Sequence, residues 1–442
     1  MYRYCIDMSE GSLVGARTRT LVAGVALIAV AAALAIGIAL FSNAALPGQA
    51  PGTASGDVSA GQSLTVVRGV IGSEKESLFA DPEAKEIFAR HGLDVQVTTS
   101  GSWAMAERAG IEESDFASPS SEIAAAHIED VHGDAVLSTT RPFYSPLAIA
   151  TGETVLSVLE QNGLVEQRDG VWHLDMAAYL DAVANGRRWT DLAGSEAYPS
   201  SRNVMITTTD VRSSNSALMY LSLASYVLNG NAVVTSEDAA RQQATDSLAR
   251  LFLDQGYSQS SSAGPWESFL SKGPMNQPLT LIYESQYLEA QMNEPTRVTD
   301  EMRICYPAPT IFSDHVVVAF SEAGQQVQDV LDNDPDMARV IARHGFRLNG
   351  SNSGVFSEQV GEAGLTGYAA DGTFIDAAQA PSYEVADAML QTAIEYLGDK
   401  LSAAHTFKVE SKRADKSFPM TSIQLSQYVG GELDEKYPNL KV

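Results

Sequence analysis

The chain has 442 residues, of which 45% are hydrophobic and 19% charged, so it is longer than one typical domain and can form globular cores. Its 29 basic residues are outnumbered by 55 acidic residues, and a formal charge of −26 predicts no nucleic-acid partner, because such a chain repels a polyanion. The two cysteines, Cys5 and Cys305, exclude a disulfide framework and argue against metal–cysteine chemistry.

An apolar segment near the N-terminus predicts a membrane helix. Residues 21–41 contain no charge and no proline, and 21 residues are enough to cross a bilayer as a helix. Arginines precede this segment and the next charge is Asp57, so the positive-inside rule predicts a cytoplasmic segment 1–20 and an extracellular C-terminal domain. A cleaved signal segment is the alternative. Residues 42–62, rich in Gly, Ala, Pro and Ser, predict a flexible linker.

Strand, polar loop and helix then alternate three times in about sixty residues, beginning at Ser63. The first long helix has a full set of end signals: Asp81 as N-cap, Pro82 at the first helical position and Gly92 just past the end. The loops that follow two of the strands read TTSGS and SPSS. This alternation predicts a parallel sheet covered by helices.

The same pattern returns further along the chain and predicts a second sheet of the same kind. It is followed by a crossing segment and by a helix with Asp334 as N-cap and Pro335 at its first position. The predicted elements of this part are a helix over 174–186, a strand over 204–207, helices over 214–228 and 237–253, a strand over 279–285, the extended segment 303–320 and a last helix over 382–398.

The polar loops suggest what the sheets are for. In an open parallel sheet, ligands bind beyond the carboxyl ends of the strands, where the following helices present their N-termini. Hydroxyls and unpaired backbone N–H groups at such helix starts favour a polar or anionic small molecule. For any single loop, ordinary helix capping is the alternative. Several such loops in one chain predict a shared binding cleft.

The chain from about residue 63 to 398 resembles the bacterial extracellular solute-binding proteins of the type II periplasmic-binding fold. The segments that carry the resemblance are TTSGSW, DFASPSS, YSPLAIAT, TTTDVRSSNSALMY, PLTLIYESQ, YPAPTIFSDHVVV and ARHGFR. The resemblance implies two lobes of mixed or parallel sheet flanked by helices, joined by two crossing segments and closing on a ligand by hinge motion. The expected domains are a first lobe over 63–146 and 307–409, a second lobe over 147–306 and a C-terminal tail over 410–442.

The resemblance and the loop pattern together give the expected ligand contacts. The first lobe would contribute Ser73, Ser100, Ser102, Ser118, Ser120 and Ser121, and the second lobe Thr209, Ser214, Asn215, Ser216, Tyr283 and Glu284. The ligand class stays open between an oxyanion, an amino acid, a sugar and a peptide.

The expected function is therefore capture of a small polar or anionic solute by a membrane-tethered extracellular protein, with an ABC-type permease as a partner. We expect no enzyme activity, no catalytic residue, no cofactor and no metal, since the seven histidines are scattered along the chain. A surface sensory or interaction module with the same fold is the alternative, because the chain has no lipid-attachment cysteine and carries its own membrane helix. An extracellular hydrolase is a third alternative, in which His315, beside Asp314, would orient against a serine.

Overall fold

A computed structural model of the chain describes residues 63–253, 255, 258–369 and 376–402. The expected N-terminal segment, membrane helix, linker and C-terminal tail lie outside the described residues. Within the described part of the chain, no helix has both the length and the apolar character needed to cross a membrane. Contacts group the described residues into one compact unit, and the expected lobe boundaries stay predictions.

The described residues form a mixed α/β fold around one sheet of eleven strands. The main path of the sheet has the order β2-β1-β3-β9-β4-β8-β6-β5, with β10 and β7 paired to β4 and β11 paired to β9. The strands are β1 Thr65–Ile71, β2 Leu93–Thr99, β3 Phe116–Ser118, β4 Ser138–Gly152, β5 Val165–Arg168, β6 Val171–Asp175, β7 Thr280–Tyr283, β8 Met302–Ala308, β9 Thr310–Ala319, β10 Arg347–Leu348 and β11 Ala377–Ala378.

One long strand, β4, joins two halves of this sheet. Its residues 138–146 pair with β9, whereas its residues 147–152 pair with β7 and β8. We call β1, β2, β3, β9 and β10 the first half, and β5, β6, β7 and β8 the second half. In the first half, β1 pairs in parallel with both β2 and β3, so the carboxyl ends of these three strands meet at one edge.

Helices cover the sheet and connect its strands. They are α1 Glu76–Ala80, α2 Pro82–Arg90, α3 Glu122–His132, α4 Glu153–Gln161, α5 Met176–Ala184, α6 Asn215–Leu228, α7 Glu237–Gln243, α8 Arg250–Leu253, α9 Ala263–Lys272, α10 Glu284–Asn293, α11 Glu322–Asn333, α12 Pro335–Arg343, α13 Val355–Glu362 and α14 Tyr383–Ser402.

The predicted helix ends are confirmed at the strongest signals. The Asp81 carboxylate accepts hydrogen bonds from the backbone N–H groups of Glu83 and Ala84, and Pro82 begins α2. Gly92 follows that helix with φ +79°, a left-handed conformation that costs glycine little. Asp334 caps α12 in the same way as Asp81 caps α2. Both helices therefore begin where their local sequence signals predict.

Two predicted elements differ from the structure. The segment 204–207 is not a strand, because only Thr207 bridges to the sheet, pairing with Thr280 at the start of β7. The predicted helix 237–253 is interrupted by a π-helical turn over Ala244–Leu248, so α7 and α8 are separate. Extra residues inserted in this way are typical of π-turns, and no local residue preference announces them.

The largest apolar cluster lies between the second half of the sheet and its helices. It includes Leu147 of β4, Leu156 of α4, Tyr179 of α5, Leu221 of α6 and Met389 of α14, all at most 1% exposed. Full burial of such a side chain contributes roughly 1.5–3 kcal/mol. This core therefore fixes α6 and α14 in place, and α6 begins at the polar loops described next.

Candidate functional site

Most of the predicted contact residues come together in one buried group, which we call the serine cluster. Its members are Ser102, Ser118, Ser120, Ser121, Thr209, Ser214, Asn215, Ser216 and Tyr283, and each is at most 3% exposed. The structure thus brings nine of the twelve candidate residues together. Whether they contact a ligand stays a prediction.

The position of the cluster follows from the topology. Ser118 ends β3, Ser102 lies in the loop after β2, and these strands have their carboxyl ends at the same edge as β1. From the other side, Ser214 stands at the start of α6 and Tyr283 ends β7. The cluster therefore lies between the loops of the first half of the sheet and two elements of the second half, namely the start of α6 and the end of β7.

Asn215 joins the two sides of the cluster. Its side-chain amide donates to the backbone carbonyl of Ser120 at 2.9 Å and to the Tyr283 hydroxyl at 3.0 Å. The Ser121 hydroxyl donates to the Asn215 side-chain oxygen. A Cβ atom on Gly101 would lie 2.3 Å from the backbone carbonyl oxygen of Ser213, so these two loops meet with no room for a side chain. The two sides are closed upon each other.

A buried ion pair that the sequence analysis missed lies beneath the serines. Lys75 Nζ is 2.6 Å from Glu74 Oε1, 3.0 Å from Ser120 Oγ and 3.0 Å from His315 Nδ1. Ser120 donates to Glu74 and accepts from Ser102 at 3.0 Å. The Ser120 hydroxyl therefore has all its hydrogen-bonding capacity satisfied.

Burial and charge set the protonation of this network. Burial raises the pKa of Glu74, but the Lys75 ammonium outweighs burial and holds this pKa well below its usual range. Burial lowers the pKa of Lys75, and the Glu74 carboxylate opposes that effect. Burial and the Lys75 charge lower the pKa of His315 to about 4. At neutral pH the network is an ion pair beside a neutral imidazole.

The tautomer of His315 follows from its neighbour. An ammonium group can only donate, so His315 Nδ1 accepts from Lys75 and the ring proton lies on Nε2, which has no hydrogen-bond partner. His315 thus lies near a serine, as the hydrolase alternative required, but it contacts Ser120 through Lys75 and has no free basic nitrogen facing that hydroxyl. Across the described residues, no group of three or more His, Cys, Asp or Glu is arranged to hold a metal ion.

Three predicted residues lie outside the serine cluster. Ser73 and Ser100 are half-buried, and the Ser100 hydroxyl donates only to the neighbouring Gly101 carbonyl. Glu284 was expected beside Tyr283 in the cleft, but it forms a buried ion pair with Arg347 at 2.7 Å and accepts a 2.6 Å hydrogen bond from Tyr306. Successive residues at a strand end point to opposite sides, which separates Glu284 from Tyr283.

A second cluster of charges centres on His344, at the C-terminal end of α12. His344 Nδ1 is 2.7 Å from Glu289 Oε1 and His344 Nε2 is 3.0 Å from Asp81 Oδ2. Burial lowers the pKa of His344, but the two carboxylates outweigh burial and raise it above its usual value. Because each ring nitrogen faces a carboxylate, both donate and the ring is an imidazolium. This cluster ties α10, α12 and the cap of α2 together.

The missed residues had weak sequence signals. Glu74 and Lys75 directly follow Ser73 after β1, yet charged residues at that point are ordinarily solvent-exposed. His315 is followed by three valines in β9, so its burial could have been predicted from strand alternation. Arg347 lies beyond the end of α12 and carries no pattern that pairs it with Glu284.

The C-terminal part of the chain matches a different family from the one expected. Residues 383–442 match the THUMP domain. The chain is also 38% identical over 68 residues to a protein named as a probable tRNA sulfurtransferase, found in two strains of Clostridium kluyveri. This match covers 15% of the chain and 16% of the relative. The chain thus spans about a sixth of the curated relatives it matches.

Solved structures similar to the chain are periplasmic binding proteins. The sulfate-binding protein SubI from Mycobacterium tuberculosis is 16% identical, with a TM-score of 0.44 over 69% of this chain and 93% of that one. The periplasmic binding protein AfuA from Actinobacillus pleuropneumoniae is 11% identical, with a TM-score of 0.47 over 76% of this chain and 97% of that one. The Pasteurella haemolytica ferric ion-binding protein A is 9% identical, with a TM-score of 0.46.

The two sequence matches contradict the expected function. The prediction of an extracellular solute-binding protein without enzyme activity is wrong, since residues 383–442 match the THUMP domain and the relative that is 38% identical over 68 residues is named as a probable tRNA sulfurtransferase. The predictions of a cell-membrane location, of a permease partner and of no nucleic acid are contradicted by the same matches. All segments that carried the earlier resemblance lie between Thr98 and Arg347, outside the matched region.

The prediction of no nucleic-acid partner used the net charge of the whole chain and did not consider short basic runs. Residues 405–420 contain four basic residues against two acidic ones, which reverses the acidic excess of the chain as a whole. A polyanion responds to the charge within about a Debye length, roughly 8 Å at physiological salt. Total charge is therefore a poor guide to what one short segment binds.

Proposed function

We propose that the chain binds tRNA through residues 383–442 and serves in tRNA modification. The observation that carries this proposal is the C-terminal match to the THUMP domain, together with the 38% identity to a probable tRNA sulfurtransferase over 68 residues. The match covers a small share of that relative, so the proposal takes from it the substrate class and the binding role. The rest of the chain is proposed to position this segment.

A short basic run within the segment supports the proposal. Lys412, Arg413 and Lys416 lie within five residues of one another, and Lys408 precedes them closely. Contacts from lysine and arginine to phosphates supply most of the sequence-independent affinity of proteins for nucleic acids. Arginine adds bidentate hydrogen bonding to phosphate.

For the α/β part, we propose the two-lobed type II arrangement named in the sequence analysis. The pairing of β4 with β9 at one end and with β7 and β8 at the other supports it, since both lobes would share this strand. Cys305 is not proposed as a sulfur carrier. It is 1% exposed and burial raises its pKa far above the usual value, whereas a reactive cysteine needs an accessible thiolate.

A binding experiment with a charge-matched control tests the proposal. The triple variant Lys412→Ala, Arg413→Ala, Lys416→Ala should bind a tRNA transcript about tenfold or more weakly than the wild type. Its slope of log affinity against log salt should be smaller by about two. The control removes three exposed arginines of the α/β part instead, namely Arg90, Arg141 and Arg168, each more than half exposed.

The control variant should bind tRNA as the wild type does. If the two triple variants lose affinity equally, binding follows general charge and not the C-terminal segment. Absence of saturable tRNA binding by the wild-type chain would refute the proposed function outright.

A further inference from the structure

A cavity of about 470 Å³ lies beside the second half of the sheet, away from the serine cluster. Its walls come from the β5–β6 hairpin, from the end of α6 and from the crossing between β8 and β9. The serine cluster adjoins the start of α6 at Ser214, whereas the cavity adjoins its end at Tyr226 and Val227. Because an α-helix rises about 1.5 Å per residue, roughly 18 Å of helix separate the two.

The register of the hairpin determines which of its side chains line the cavity. Leu174 of β6 belongs to the largest apolar cluster, and successive side chains of a strand point to opposite faces. His173 and Asp175 therefore share the other face of β6. Glu166 pairs with His173 across the hairpin, and Arg168 lies two residues further along β5. The hairpin thus presents four ionisable side chains to one cavity.

Two carboxylates of the cavity have no cation beside them. Arg168 Nε donates to Glu166 Oε1 at 2.7 Å, so these two charges compensate each other. Asp175 Oδ1 caps α5 by accepting from the Ala178 backbone N–H at 3.0 Å, and this bond uses one of its two oxygens. Asp376 adds a second carboxylate from another wall. Beyond the Glu166–Arg168 pair, the lining therefore carries two negative charges.

His173 supplies a further acceptor. Its ring is half-buried, with its centroid 6.2 Å from that of Tyr306, and it makes no hydrogen bond within the described part of the chain. Burial and the Arg168 charge lower the pKa of His173, and the Glu166 carboxylate opposes them only in part. At neutral pH the ring is therefore uncharged, and a neutral imidazole has one nitrogen that accepts a hydrogen bond.

The remaining lining favours an organic cation. Tyr226 and Val227 are partly buried at the edge of the largest apolar cluster, and Pro309 lines another wall. The face of an aromatic ring attracts a cation, whereas carboxylates repel an anion. An inorganic metal ion is disfavoured, since the described residues bring no three His, Cys, Asp or Glu side chains together in a suitable arrangement.

We propose that this cavity binds a small primary amine with an apolar body. The ammonium group donates to the Asp175 and Asp376 carboxylates and to the free nitrogen of His173, and the body packs against Tyr226 and Val227. The volume lies within the roughly 300–1,000 Å³ that is typical of small-molecule sites. This inference does not rest on the proposed binding of tRNA, because all its residues belong to the α/β part.

Isothermal titration of the full chain with 2-phenylethylamine at neutral pH tests the inference. The salt concentration should be about 0.15 M, where general attraction to an acidic chain is screened beyond roughly 8 Å. The wild type should bind the amine saturably. It should bind 2-phenylethanol, which has the same body without the charge, at least about tenfold more weakly, because hydrogen bonds from a charged donor are the stronger ones.

Variants of the lining separate the cavity from general charge. The double variant Asp175→Asn, Asp376→Asn should bind the amine at least about tenfold more weakly, and asparagine still caps α5. The matched control is Asp134→Asn, Asp300→Asn, which changes the net charge equally at two exposed positions and should bind as the wild type does. His173→Phe keeps a ring beside Tyr306 but removes the acceptor, and it should weaken binding about tenfold.

Three results would overturn the inference. The first is a wild-type chain that does not bind 2-phenylethylamine saturably, or that binds 2-phenylethanol equally well. The second is an equal loss of affinity in the two double variants, because binding would then follow net charge. The third is unchanged affinity in His173→Phe, which decides the matter if the cavity double variant does not fold, as judged by its urea unfolding midpoint.

Discussion

Replacing Lys75 by Met tests how much stability the protein loses when one partner of the buried ion pair under the serine cluster is removed. The side chain of Lys75 is fully buried and that of Glu74 is 4% exposed. Methionine keeps most of the stem volume but removes the ammonium, which leaves the Glu74 carboxylate with the Ser120 hydroxyl as its donor. Removing one partner of a buried pair costs about 3–5 kcal/mol, a large part of the roughly 5–15 kcal/mol by which proteins are stable.

The loss should be read from urea unfolding of the full chain, followed by tryptophan fluorescence. The double variant Glu74→Gln, Lys75→Met should recover much of it, because no uncompensated charge remains. In the single variant burial raises the pKa of Glu74 in the folded state, so the deficit should shrink as pH falls and that carboxyl is protonated. Arg90→Ala, which breaks an exposed ion pair with Asp336, is the control and should cost less than about 1 kcal/mol. A single-variant loss as small as the control would refute the reasoning.

Three further predictions concern other parts of the molecule. The charged hydrogen bonds of His344 should stabilise the fold by about 1.5–3 kcal/mol below pH 6.5, and this stabilisation should be lost as pH rises through the raised pKa of the folded state. In urea unfolding, His344→Gln should flatten that pH dependence of stability. An unchanged pH profile would contradict this prediction. Gly101→Ala should lower the free energy of unfolding by about 1–3 kcal/mol in the same assay, because the added Cβ would lie 2.3 Å from the facing Ser213 carbonyl oxygen. Its control is Gly133→Ala, which should be neutral or stabilising because nothing lies within 4 Å of the added Cβ. In a Cys5→Ala background, Cys305 should react with a thiol reagent at least about a hundredfold faster in denaturant than in the native state, since only unfolding exposes it, and equal rates would show that it is accessible.

Helix ends and the polar loops were predictable because short-range chemistry determines them. Asp81 with Pro82, and Asp334 with Pro335, combine a side-chain acceptor with a ring that fixes φ, and no tertiary contact is needed to place such a start. Ser102 meets the loops of the neighbouring parallel strands because strands and helices alternate along the chain. This alternation brings the carboxyl ends of parallel strands to one edge of the sheet.

The ion pairs could not be predicted, because they join residues far apart in sequence. Lys75 and His315 are 240 residues apart, and Glu284 and Arg347 are 63 apart. A single sequence contains no signal for such a pair, since a charged residue near a helix start is ordinarily solvated. The pairing is decided by strand register and by which face of a strand end points inward.

The functional prediction failed for a different physical reason. The segments that carried the resemblance lie within residues 98–347 and say nothing about the end of the chain, and the net charge averaged over 442 residues hides a locally basic run. The packing of α14 into the core shows that the matched segment and the α/β part share a helix, which no boundary drawn from composition suggested.

Ultraviolet crosslinking of a tRNA transcript to the full chain, followed by mass spectrometry of the crosslinked peptides, tests the central claim most directly. We expect crosslinks concentrated in residues 383–442, with the densest set around Lys412, and their loss in excess unlabelled tRNA. Crosslinks confined to residues 63–382, or none above the level of an unrelated acidic protein, would contradict it.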